Sequence, residues 1–327
     1  MFKKATATAI LCCLLGGIGL IIAISFGAKL IPLKTVWDSI FHYEEVLEMQ
    51  LVRDGRLPRA LCTALIGGFL GISGAMMQGV TRNPVAEPSM MGITQGATLA
   101  VAITSVTPGL YGLFGNTFAA LIGATVSGVL VLIFSMQNAR NMNLSRLLLA
   151  GTALSTFFLS MASIVALLFN KAQELAFWVG GGFRTASWQS VWLLLGVGGI
   201  CTLMALCLSQ RINIVSLGED VAVGLGENPH KVRFYALLLL IPLCGVSVAV
   251  AGNIAFVGLI VPHIIRRLLG YDYRYILPFS FAAGSVLLIW ADVAARLVSQ
   301  PYETPVGLFT SLIGVPFFLW LVRRGNS

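Results

Sequence analysis

Long, unbroken runs of apolar residues, separated by short polar connections, fill this chain from end to end. An α-helix needs about 20 such residues to cross the hydrocarbon core of a bilayer. The pattern predicts helices over 8–28, 58–80, 89–107, 112–136, 145–169, 188–208, 234–252, 254–270, 276–298 and 305–322. The run at 254–270 is short and holds Pro262 and His263, so it is expected to be tilted, broken or only partly spanning. Strands of a membrane barrel would alternate apolar and polar residues over about 10 positions, and these runs do not alternate. The expected fold is an all-α polytopic membrane protein with about ten transmembrane helices.

Composition agrees. Of 327 residues, 57% are hydrophobic and 10% charged; soluble domains carry roughly a quarter charged residues. Soluble enzyme folds are thereby excluded. The net charge of +8 would suggest nucleic-acid binding in a soluble protein. Here the basic residues sit at the ends of apolar runs, as the excess of Lys and Arg in cytoplasmic loops requires, and no nucleic-acid partner is expected. All six cysteines lie in apolar runs without a C-x-x-C, so they read as packed thiols. The three histidines, His42, His230 and His263, have no ligand spacing, and neither metal nor cofactor is expected.

Lys3 and Lys4 precede an apolar run ending near Ser25–Ala28, a pattern shared with signal peptides. The run has the length of a span, and a retained first helix is the preferred reading. With the N-terminus inside, Arg82, Arg140, Arg146, Arg211, Lys231, Arg233, Arg266, Arg267, Arg274, Arg323 and Arg324 join the lysines on the inner side. The outer side holds most of the acids. Both termini are therefore expected in the cytoplasm of a multi-pass protein of the cell membrane.

A faint internal repeat emerges when the chain is slid by 174 positions. Arg59 then meets Arg233, Gly71 meets Gly245, Ser73 meets Ser247, Pro88 meets Pro262 and Gly96 meets Gly270. The paired segments lie five expected crossings apart and would run in opposite directions, a recurrent transporter design. The chain is thus read as one transmembrane domain, 1–327, in halves of approximately 1–185 and 186–327.

The stretch from Arg53 to Gly96 is the most informative. Arg56 and Arg59, three apart, share one helix face at the outer surface, where basic residues are disfavoured. Together with Arg53 they suggest an acidic partner; snorkelling to lipid phosphate is the alternative. Pro84, Glu87 and Pro88 make a stiff, non-helical connection at the inner end of a helix. A carboxylate near membrane depth is costly unless paired or wet, and the segment reads equally well as a tight loop or as a gate.

The longest cytoplasmic loop, 210–233, is too polar to span. Leu217, Val221 and Leu225 fall at i, i+4 and i+8, one apolar helical stripe. Such a helix lies on lipid or docks in a partner's groove; Glu219 and Asp220 disfavour anionic lipid, so a protein partner is preferred. No G-x-x-x-x-G-K-[ST], G-x-S-x-G or H-E-x-x-H occurs. The chain is read as a non-enzyme, and Asp292 and Arg296, at i, i+4, are expected to pair.

These residues resemble the FecCD family: RLPR at 56–59, SGAMMQGVTRNPVAEPSMMGITQGA at 73–97, SLGEDVAVGLG at 216–226, GNIAFVGLIVPHIIRRLLG at 252–270 and ETPVGLFTSLIGVPFFLWLVRR at 303–324. The family comprises permease subunits of ABC importers for ferric siderophores, haem and cobalamin. The resemblance implies a ten-helix subunit in the membrane lipid that pairs with a second permease, identical or related. It further implies cytoplasmic ATPase subunits and an extracytoplasmic substrate-binding protein. Arg56 and Arg59 match the arginines that meet glutamates of the binding protein, with Arg296 as a third. Ser216, Leu217, Gly218, Val221, Leu225 and Gly226 match the coupling helix that seats in the ATPase. Asn83, Pro84, Glu87 and Pro88, with the turn at Asn143 and Ser145, match the inner gate. The implied substrate is a ferric siderophore, hydroxamate type favoured, with haem second and cobalamin third. An ion-driven carrier is the competing class, and Asp292 would be its coupling carboxylate. An intramembrane enzyme would need a nucleophile with a base, and none is visible.

Overall fold

The computed structural model describes residues 2–27, 29–107, 113–135, 144–298 and 302–325. Among them the chain is helical, without strands. Helix α1 (Phe2–Ser25) is followed by two short helices, α2 (Leu33–Phe41) and α3 (Leu47–Gln50). A π-helical segment, Leu51–Arg56, leads without a break into α4 (Leu57–Thr81). A 3₁₀ turn at Pro88–Met91 precedes α5 (Ile93–Val106), α6 (Leu113–Ser135) and α7 (Leu144–Leu168). The short α8 (Ala172–Gly180) precedes α9 (Trp188–Leu193), which continues through π-helical Leu194–Gly199 into α10 (Ile200–Ser216). Then come α11 (Glu219–Gly224), α12 (Pro229–Ala251), α13 (Val257–Leu269), α14 (Tyr273–Leu297) and α15 (Val306–Gly325).

Every predicted apolar run falls on one of these helices. Seven of the described helices are long and apolar enough to cross a membrane; α5 is a shorter apolar helix, and α15 is apolar over Val306–Leu321. With 13 residues, α13 is about 20 Å long at 1.5 Å per residue, shorter than the hydrocarbon core of about 30 Å. Pro262 sits inside α13 without interrupting it.

The sequence order long helix, irregular connection, half-length helix, long helix occurs twice: α4, 82–92, α5, α6 and then α12, 252–256, α13, α14. Packing follows the same exchange. α4 packs on α14 as α12 packs on α6; α5 lies against α6 and α7 as α13 lies against α14 and α15. The C-terminal end of α4 meets the start of α12, where Arg233 Nε donates to the Val80 carbonyl at 3.0 Å. The two run antiparallel, the relation an inverted repeat demands. The ungapped slide holds only for α4 and α12. The connection from Thr81 to Ile93 is longer than that from Ala251 to Val257, so Pro88, in a 3₁₀ turn, and Pro262, inside a helix, are not equivalents, nor are Gly96 and Gly270.

Small residues set the spacing of the centre. A side chain at Gly67 or Gly71 would overlap the backbone of Gly284 or Ser280 on α14, and one at Gly74 would overlap Gly258 on α13. Backbone-to-backbone contact of this kind drives helix association where lipid offers no hydrophobic force. The helices α1, α7 and α9–α10 are instead mostly exposed along their spans and face what surrounds the subunit.

Candidate functional site

Three polar centres are threaded along the bundle. At one end of the bundle, where α1 and α14 finish and α4 begins, lie the three predicted arginines, brought together and internally engaged. Arg59 Nη2 stands 2.9 Å from Asp292 Oδ1, and its Nη1 stands 2.6 Å from Glu303 Oε1. The expected Asp292–Arg296 pair is present at 3.1 Å; Arg296 also donates to the carbonyls of Ala23 and Phe26 at the end of α1. Arg56 donates to the carbonyls of Ile24, Ser25 and Lys29. Those include the last carbonyls of α1, which have no partner inside their own helix. Asp292 is 1% exposed. The guanidiniums therefore tie three helix ends together, and Arg56 and Arg59 keep part of their surface open to the outside. Beside Arg59 opens a cavity of about 520 Å³, bounded by the neighbouring ends of α5, α7 and α12, by α8 and by 303–305, with Lys171, Glu174, Arg184 and Glu303 on its wall.

The second centre is the connection after α4. Arg82, with φ +52°, turns the chain out of the helix. Asn83 Oδ1 accepts from Val85 N at 3.1 Å and its carbonyl accepts from Ala86 N, a local turn built by a short amide side chain. Pro84 is exposed and Pro88 buried. Glu87 reaches the amide of Phe256, the residue capping the N-terminus of α13, where a helix leaves its N–H groups unpaired and carries partial positive charge. The costly carboxylate is thus spent on a helix cap, and the connection of one repeat holds the start of the other repeat's half-length helix. Beneath it Gln78 donates to the Gly258 carbonyl at 3.1 Å and accepts from Arg266; both are buried. Asn143 lies outside the described residues, and Ser145 is described only as part of the first turn of α7.

The third centre lies at the opposite end of the bundle from the arginine cluster. Ser216 Oγ donates to the Asn213 carbonyl and closes α10. Gly218 (φ +135°) and Gly226 (φ +81°) bracket α11, backbone shapes that side chains resist. The single helical stripe expected from the sequence is broken, because Gly218 separates Leu217, at the end of α10, from α11, and Leu225 lies just past α11; the apolar side chains are nevertheless solvent-facing, with Leu217 67%, Val221 46% and Leu225 61% exposed, joined by Val223. Glu219, in the first turn of α11, pairs with Arg233 at 2.6 Å, and this guanidinium holds its carboxyl below the usual carboxylate range. Asn228 Oδ1 caps α12 by accepting from His230 N and Lys231 N.

The sequence did not point to Glu303 as a partner of Arg59, to the Gln78–Arg266 pair, or to Arg233. Arg266 inside an apolar run and the two arginines matched by the repeat were the available signals.

A helical membrane bundle with antiparallel repeats, a carboxylate-capped half-helix and an exposed apolar helix at one end is the architecture of a transporter's membrane subunit. The comparisons with known proteins define the class. A model of the FecCD transport family matches residues 14–324. The iron(3+)-hydroxamate import system permease FhuB of Bacillus subtilis is 45% identical over 94% of this chain and 80% of its own length. The Fe(3+) dicitrate transport system permease FecC of Escherichia coli is 40% identical over 84% of this chain and 83% of its own length. A solved inward-facing conformation of a metal-chelate type ABC transporter superposes with a TM-score of 0.84, covering 99% of this chain and all of that one at 28% identity. The chain belongs to the FecCD transport family, as a multi-pass membrane permease rather than an ATPase.

Proposed function

We propose that this permease forms the translocation pathway of a binding-protein-dependent ABC importer for ferric siderophores of the hydroxamate type. The observation that carries the coupling half of this reading is the exposed Leu217–Val221–Leu225 surface. It lies on the longest polar loop of a chain that has no nucleotide-binding loop of its own. A separate ATPase would seat α11 in a cleft, as apolar helices seat in grooves. The hydroxamate assignment rests on likeness to FhuB across nearly the whole chain.

In this reading both termini are cytoplasmic, and a second permease, identical or related, completes the pathway. The exposure of α7 along its span, with Thr152 and Thr156 on its open face, supports a neighbouring subunit there. A binding protein would meet the outer cluster of Arg56, Arg59 and Arg296 through carboxylates. Because Arg59 and Arg296 are already paired, partner carboxylates would join an existing network. The inner gate would comprise Asn83, Pro84, Glu87, Pro88, Asn143 and Ser145, with the Glu87–Phe256 contact at its centre. The cycle is alternating access: loading outside, ATP-driven closure of the nucleotide subunits, and motion of α11 passed into the bundle. The test is ATP turnover by the reconstituted assembly, which should rise with a binding protein loaded with a ferric hydroxamate and not with the empty binding protein.

The ion-driven reading loses its coupling residue to the geometry. Asp292 is buried between two guanidiniums, committed to holding helices together.

A further inference from the structure

We infer that Arg233 is the positioning residue that passes motion of α11 to the inner gate. This rests on the proposed ATPase docking and adds the route inward. Three observations converge on one side chain. Its Nη1 lies 2.6 Å from Glu219 Oε1 in the first turn of α11. Its Nε lies 3.0 Å from the carbonyl of Val80, one of the last carbonyls of α4, which lack an intrahelical acceptor role. Its own backbone belongs to the first turns of α12. The guanidinium is 11% exposed, against 46% for Glu219, so the bridge is anchored inward and open only on the partner side.

What lies beyond Val80 gives the bridge its consequence. Two residues on, Arg82 turns the chain into the connection that carries Glu87 to the Phe256 amide. The chain of contacts from α11 to the cap of α13 is therefore continuous: Glu219, Arg233, the end of α4, the 82–88 connection, Glu87. An arginine is suited to this task because its planar fork offers several fixed donors at once; a lysine is a single point charge and cannot hold both partners in that geometry. The repeat supplies independent support. Arg59, matched to Arg233 by the slide of α4 on α12, occupies the same place at the opposite membrane face. It too joins a carboxylate of a surface connection, Glu303, to the core of the bundle. Each half thus places one guanidinium where an outside protein would press.

The experiment uses the full assembly, reconstituted with its ATPase and binding protein, and measures two quantities: ATPase bound per permease, and ferric hydroxamate transported per ATP hydrolysed. Arg233→Lys and Glu219→Gln are the variants; the second changes a half-exposed side chain and keeps the fold. Leu217→Asp/Leu225→Asp is the control for docking itself. The expected result is ATPase binding unchanged in both single variants, with transport per ATP reduced about tenfold, a loss of about 1.4 kcal/mol of coupling. Unchanged transport per ATP in Glu219→Gln with ATPase bound would overturn the assignment, as would loss of transport only in proportion to lost ATPase binding. Failure of the docking reading itself would show differently, as normal ATPase binding in the Leu217/Leu225 control.

Discussion

Arg59 and Asp292 lie 233 positions apart in the chain and meet at 2.9 Å, in a spot where the aspartate is 1% exposed. Arg296 approaches the same carboxylate from the other side at 3.1 Å. Removing one member of a buried ion pair costs about 3–5 kcal/mol because the remaining charge is stranded. Asp292→Ala should therefore lower the thermal unfolding temperature in detergent sharply, with any transport defect tracking the loss of folded protein. A fully stable Asp292→Ala protein that has lost transport alone would instead restore this residue as a coupling carboxylate.

Glu303 occupies the Nη1 edge of Arg59 at 2.6 Å, the edge that a docking carboxylate would seek. Glu303→Gln should weaken that internal competitor and tighten binding-protein association a few-fold, measured by surface-immobilised permease in nanodiscs. Arg59→Lys should act in the opposite direction, since a bidentate fork is lost. Association that is insensitive to both changes would remove Arg59 from the docking surface.

Glu87 accepts from the capping residue of α13. Glu87→Ala deletes the acceptor and should cost about 1 kcal/mol, the usual worth of an N-terminal cap. Glu87→Gln keeps an acceptor oxygen and should cost less. Unfolding temperatures of the three proteins, compared in one lipid, check the order.

The Glu219–Arg233 pair carries a pH signature. The folded carboxyl is held below its unfolded value by Arg233. The pair's contribution is thus present above the ordinary glutamate range of about 4.3 and is lost as pH falls through the depressed folded value. Transport per ATP should be flat from about pH 6 to 8 on this account. Structural stability of this end of the bundle, followed by hydrogen exchange at α11, should fall on the acid side in the native protein and lack that step in Glu219→Gln.

Most of the architecture was legible from apolar run length alone, because lipid permits few alternatives to a helix. The shortness of the helix at 254–270 was readable from the run itself. The amphipathic surface helices α2 and α8 were not, since neither is long enough to register as a run. The repeat could be seen through Arg59 and Arg233 but slipped register after α4, where one connection is longer than the other. The exposure of Leu217, Val221 and Leu225 agreed with the reading of an open apolar surface, but the single helix their spacing implied is broken at Gly218, whose left-handed backbone the spacing could not reveal. The partners of Arg59 were not legible: Asp292 and Glu303 come from the far half of the chain, and only the packing of α4 on α14 brings them in. Similarly, Glu87 was visible as a costly charge, while the cap it provides depends on where α13 begins.

The most direct test of the central claim is ATP turnover by this permease reconstituted with its ATPase and binding protein, with and without a ferric hydroxamate siderophore. Hydrolysis should be stimulated several-fold by the loaded binding protein and accompanied by iron entering the vesicle, with both lost in Leu217→Asp/Leu225→Asp. Iron entry that proceeds without ATP and is driven by an ion gradient would contradict the claim.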